Sequence, residues 1–95
     1  MKATVIQQIL EQFGKAERAG KELKMPASTE ATVLVAVGSD AFNVPKVVKF
    51  ELLDDFLVAT TSKGERFCFG YDAVTCVRFE TIDDKKGERN AGFGR

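Results

Sequence analysis

From Thr29 to Glu80 apolar residues recur at every second position, and each run is broken by a short cluster of turn formers. A period of two puts successive side chains on opposite faces of a strand, which commits the chain to a sheet built mainly of hairpins. Ala31, Val33, Val35 and Val37 form the first run, and Leu34 and Ala36 between them make it apolar enough to be covered on both faces. Gly38-Ser39-Asp40 interrupts it, and Phe42-Asn43-Val44-Pro45 reads as a loop or sheet edge, since proline has no N–H to give a ladder. Lys46 to Leu53 alternates most cleanly, with Val48, Phe50 and Leu52 facing one way and Lys49 and Glu51 the other. Asp54-Asp55 reverses the chain, Phe56 to Thr61 returns, and Ser62-Lys63-Gly64 supplies another hairpin turn. Glu65 to Gly70 then carries Phe67 and Phe69 on one face, and Tyr71-Asp72-Ala73-Val74 makes a short turn. In the last strand Thr75, Val77 and Phe79 alternate with Cys76, Arg78 and Glu80.

The first segment obeys a different period. Val5, Ile6, Ile9, Leu10, Phe13, Ala16 and Leu23 recur at helical spacing, opposite Gln7, Glu11, Lys15, Arg18 and Lys21. Thr4 followed by Gln7 is a capping-box pattern, and Glu11–Lys15 and Glu17–Lys21 add pairs four residues apart. The spacing predicts a helix over 4–20, weakening at Gly14 and Gly20 and ended by Pro26. Its apolar stripe either covers an open face of the sheet or, through Ile6, Ile9 and Phe13, meets a partner.

With 95 residues there is room for one core, here expected over 1–80 with the β-unit at 30–80. The fold class is therefore mixed α and β, mainly β: an amphipathic helix and about five antiparallel strands. Residues 81–95 change character, from Asp83-Asp84-Lys85-Lys86 to Ala91-Gly92-Phe93-Gly94, and are expected to form a flexible tail, or a short docking segment anchored by Phe93. No apolar leader precedes the helix and no apolar run reaches the ~20 residues of a membrane span, so a cytoplasmic protein with reduced Cys68 and Cys76 is expected.

Catalytic chemistry is hard to build from this set. The chain has no histidine, which removes His-based triads and most zinc sites. Its two cysteines lie within expected strands and read as structural thiols. The glycines lack the spacing of a phosphate loop. Asp54-Asp55 and Asp83-Asp84 are adjacent pairs better suited to turns than to shared proton transfer. No enzyme, metal or cofactor is expected.

One helix followed by five antiparallel strands is the order of Sm-like small β-barrels. Leu53-Asp54-Asp55-Phe56-Leu57-Val58 resembles the turn between the second and third strands of the bacterial Sm-like RNA chaperones, and Asp72-Ala73-Val74-Thr75-Cys76-Val77 resembles the turn and strand that close their barrel. The resemblance spans about residues 31–80. It implies a ring in which the last strand of one subunit joins its neighbour's sheet, and so a homo-oligomer. Where those proteins carry Tyr-Lys-His before the closing strand, this chain has Gly70-Tyr71-Asp72, and an anion replaces the imidazole. Pleckstrin-homology-type domains, which end in similar strands but add a closing helix, rank second.

Two roles follow. The first is an assembly or protein-interaction module using Ile6, Ile9, Phe13 and Phe93. The alternative is an RNA-binding protein, with Lys46, Lys49, Lys63, Arg66 and Arg78 on phosphates and Tyr71 or Phe42 stacking on bases. Fourteen basic residues balance fourteen acidic ones, so the basic excess typical of nucleic-acid binders is missing.

Overall fold

The computed structural model describes residues 1–82: one helix, α1 (Ala3–Gln12), and a single antiparallel sheet of seven strands curled into a half-barrel. The strands are β1 (Glu17–Ala19), β2 (Glu22–Lys24), β3 (Thr29–Val37), β4 (Asp40–Leu52), β5 (Phe56–Thr61), β6 (Arg66–Gly70) and β7 (Val74–Thr81), with a 3-10 turn at Tyr71–Ala73. The expected mainly-β architecture is therefore present, with two more strands than the pattern suggested.

Those two strands replace the second half of the expected helix. Helix α1 stops at Gln12, and the chain leaves the helical path at Lys15, which takes a left-handed conformation (φ 59°). Its N-cap is Lys2, with no side-chain cap, so the Thr4 capping box is not used. Ala19 pairs with Glu22, which leaves Gly20-Lys21 as a two-residue turn with positive φ at its first position, the requirement of a type II′ hairpin. Leu23, expected on the helix stripe, is instead buried on β2 opposite Phe50.

Strand β4 organises the sheet. It has 13 residues and is continuous through Phe42–Pro45, so that stretch is strand, turned from β3 by Gly38-Ser39 with Gly38 at φ 62°. Its first half pairs with β3 and its second half with β5 and β2. At the junction Lys46 adopts φ 60° and the β5 register slips between Val47 and Lys49. The bulge bends the strand and re-aims its side chains. Val44, Val47 and Phe50 thereby face the core, and Val48 does not follow the alternation read from Lys46 to Leu53.

The core lies in the concavity. Ile6 and Leu10 of α1 lie in the same buried cluster as Leu23, Val33, Val35, Val44, Val47, Phe50, Leu57, Ala59 and Val74. The helix thus covers one open side of the half-barrel with its own apolar stripe, one of the two outcomes the sequence allowed. The Met1 ammonium donates to the carbonyls of Tyr71 (2.7 Å) and Val74 (3.3 Å), joining the start of α1 to the start of β7. Thr81, assigned above to a tail, is still on β7 opposite Thr29, and Ile82 N–H donates to the Ser28 carbonyl at 2.6 Å. The tail expectation for 83–95, with its Phe93 anchor, lies outside the described residues.

Candidate interaction surface

A curled sheet that does not close has edges, and each exposes unpaired N–H and C=O groups able to pair with another strand. Among the described residues, four stretches of this sheet lack a neighbour on one side: β1, the first half of β4, β6 and β7. Two of them carry features that discourage pairing. Strand β1 has only three residues, two of them Glu17 and Arg18. The free side of Asp40–Lys46 contains Pro45, which lacks an N–H, and the left-handed Lys46, which breaks the ladder.

Strands β6 and β7 are longer than β1 and free of left-handed residues, with one irregularity in β7 at Thr75. Neither contains proline, and neither points a charge toward the concave face. On β6, Phe67 and Phe69 are half-buried against the core while Arg66, Cys68 and Gly70 are exposed. On β7, Val77 and Phe79 are likewise half-buried while Cys76, Arg78 and Glu80 face outward. Both edges therefore present an apolar inner row and a polar outer row. They terminate opposite ends of the path β7–β3–β4–β5–β6.

The partner-binding residues proposed for the helix separate in the structure. Ile6 is 1% exposed and belongs to the core, so its side chain is not offered to a partner. Ile9 is half-buried, Val5 is partly exposed, and Phe13 stands out from the surface at 73% exposure. Phe93 lies outside the described residues. The Sm-like resemblance pointed to the last strand, β7, as the one that joins a neighbour; no residue of the β6 or β7 edge was named for that role, and the alternation alone does not say which strands lack neighbours.

The proposed RNA contacts are dispersed. Lys49 and Arg66 lie in one row across β4, β5 and β6 through Thr60. Each already has an anion nearby: Lys49 Nζ is 3.9 Å from Glu22 and Arg66 Nη2 is 3.8 Å from Glu51. Such exposed pairs are weak. Arg78 lies on the far edge, on β7, and Lys46 sits at the β4 bend. With Lys63 and Phe67, Lys46 lines a small cleft between β4 and the β5–β6 turn.

Tyr71 sits in different company. It shares an open cleft with Asp54, Asp55, Gly70 and Asp72, and among the described residues no lysine or arginine lines it. Burial raises the Tyr71 pKa above 10.0, and the negative charges of Asp54 and Asp55 raise it further. The field there opposes phosphate and favours cations. Cys68 and Cys76 are free and exposed, on the outer faces of the two open edges. Among the described residues no group of three or more His, Cys, Asp or Glu is arranged to hold a metal ion, and no helix is long and apolar enough to cross a membrane. Compared with protein-family models, curated proteins and solved structures, the chain shows no match.

Proposed function

We propose that this chain is a non-enzymatic small β-barrel module that acts by assembly, pairing the open edges β6 and β7 with strand edges of other subunits, as Sm-like proteins do. One observation carries the reading: β6, and β7 beyond its irregularity at Thr75, lack the proline and left-handed break of the free β4 stretch and exceed the three residues of β1. Pairing would also remove Phe67, Phe69, Val77 and Phe79 from water, and burial of apolar area is the main drive for such association. The two edges differ, so the contact is head-to-tail and generates a ring when the rotation closes. Balanced charge weakens the repulsion between copies. The RNA alternative draws less support, because three carboxylates surround Tyr71, one of the two aromatic residues it would use for stacking, and its basic residues are dispersed.

Light scattering on a sizing column, with concentration from refractive index since the chain lacks Trp and has one Tyr, tests this reading. A mass of several chains supports it, and Phe69→Lys, which turns a charge inward on the β6 edge, should lower that mass while circular dichroism remains β-rich. A wild-type monomer at all working concentrations overturns it. Co-eluting nucleic acid would instead favour the RNA reading.

A further inference from the structure

The residues on the two open edges select one register among those that edge pairing allows. Resting on the assembly reading, we infer that β6 of one copy pairs antiparallel with β7 of a second copy so that Arg66 faces Glu80, Phe67 faces Phe79, Cys68 faces Arg78, Phe69 faces Val77 and Gly70 faces Cys76.

Three constraints lead there. The first is facing. Odd-numbered residues of β6 point into the concavity and even-numbered ones point out, and the same holds along β7 from Cys76 to Glu80. A slip of one residue would set Phe67 and Phe69 against the outward row of Arg78 and Glu80, so only registers differing by two survive. The second is the irregularity at the start of β7. Its ladder with β3 shifts between Leu34 and Val35, leaving Thr75 out of step. Regular alternation therefore begins at Cys76, and the five residues of β6 match the five from Cys76 to Glu80. Slipping two residues toward the irregularity sets Gly70 against Val74, which faces inward, and brings Arg66 against Arg78. Slipping two residues the other way sets Phe67 against Thr81 and Arg66 against Ile82, losing an apolar pair and the charge pair.

The third constraint is chemistry. The inferred register sets the edge guanidinium of Arg66 opposite the carboxylate of Glu80, an aromatic opposite an aromatic, and an aromatic opposite a β-branched residue. These are the cross-strand combinations that stabilise sheets, whereas directly opposed like charges do the reverse. Every pair within the sheet is already antiparallel. A parallel arrangement would face Gly70 with Glu80 and leave Arg66 without an anion across the seam.

The register makes a cysteine prediction that separates it from its neighbours. Native Cys68 and Cys76 of adjacent copies are diagonal in it, too offset for a disulfide, whose Cβ atoms must approach to about 4 Å. Gly70 and Cys76 are directly opposed. Gly70 has ordinary extended geometry (φ −67°, ψ 155°) and an added Cβ there meets nothing within 4 Å, so Gly70→Cys should fold normally. The experiment treats three full-length proteins with diamide, which accepts the two electrons and two protons released when two thiols join. These are the wild type, Cys68→Ser/Gly70→Cys, and Cys68→Ser/Gly70→Cys/Cys76→Ser. Non-reducing gels should show a ladder of multiples for the second protein alone. A ladder from the wild type means that Cys68 faces Cys76 and overturns the register. An oligomer by light scattering with no ladder from the second protein also overturns it while leaving the assembly reading standing. A monomer by light scattering overturns both.

Discussion

The hydroxyl of Tyr71 donates a hydrogen bond to the backbone carbonyl of Leu53, tying the 3-10 turn before β7 to the turn between β4 and β5. Burial, and then the charges of Asp54 and Asp55, hold its pKa above 10.0. Tyrosine is an acid, so a raised folded pKa means that the folded state keeps its proton after the unfolded chain has lost it. The contribution to stability is fully present below pH 10.0 and is lost as pH rises through the folded value. As the only tyrosine in a chain without tryptophan, Tyr71 reports on itself. A near-ultraviolet titration of tyrosinate should have its midpoint above 10.0, and Asp54→Asn with Asp55→Asn should lower it without reaching 10.0, because burial remains. Tyr71→Phe should cost about 0.5–1.5 kcal/mol in urea unfolding, the usual net worth of such a bond.

Gly14 sits where a side chain has no room. A Cβ built there comes within 2.6 Å of Phe79 Cε1, 2.8 Å of Met25 Cε and 2.9 Å of the Leu10 carbonyl oxygen. Two of these atoms are side-chain ends that can move, but the Leu10 oxygen is backbone, so some displacement of the α1 terminus follows. Gly14→Ala should therefore destabilise the fold by about 1–3 kcal/mol, against the usual gain from replacing a flexible glycine. Equilibrium urea unfolding with an unchanged slope checks this, and a stability equal to wild type would show that the contact relaxes freely.

Most of the sheet was legible because its period is local. The turns at Gly38-Ser39, Asp54-Asp55 and Ser62-Lys63-Gly64, and the alternation of β6 and β7, need only neighbours along the chain to be recognised. What was missed depends on distant contacts. Leu23 continues the helical stripe from Ile6 and Leu10, and only its pairing with Phe50 on β4 makes it a strand residue. The Gly20-Lys21 turn carried a signal for the hairpin, but the helical period outweighed it. The bend at Lys46 is a response of β4 to pairing with β3 on one half and β5 on the other, and no residue type there demands it. As for the interaction surface, Phe13 was readable as an exposed apolar residue, whereas the free edges are a property of topology.

Lys46 has a cost that a substitution can remove. A side chain at φ 60° costs about 1–2 kcal/mol relative to the right-handed region, while glycine gives up about 0.5–1 kcal/mol through the freedom of the unfolded chain. Lys46→Gly should therefore raise stability by up to about 1.5 kcal/mol. Lys49→Gly, on the same strand without positive φ and paired with Glu22, should lower it. Comparing the two unfolding midpoints checks the assignment of strain to residue 46. Equal losses in both would place the bend's cost elsewhere in β4.

Arg66 and Glu80 offer a charge-swap test of the seam that is independent of the thiols. Arg66→Glu alone sets two carboxylates across the inferred seam, and Glu80→Arg alone sets two guanidiniums there; each should weaken assembly, by about 0.2–1 kcal/mol per seam. Within its own chain Arg66 also lies 3.8 Å from Glu51, so Arg66→Glu has a cost inside the subunit that Glu80→Arg does not share. The double variant separates these effects. It restores opposite charges across the seam but leaves residue 66 facing Glu51, so assembly should recover while the loss of the Arg66–Glu51 pair remains within the subunit, offset in part because Glu80→Arg relieves the opposition of Glu80 and Glu30 on β3. The concentration at which light scattering detects dissociation gives the coupling between the two sites as a double-mutant cycle. Strictly additive losses would mean that the two residues do not meet, and the pairing of β6 with β7 would then have to run in another register.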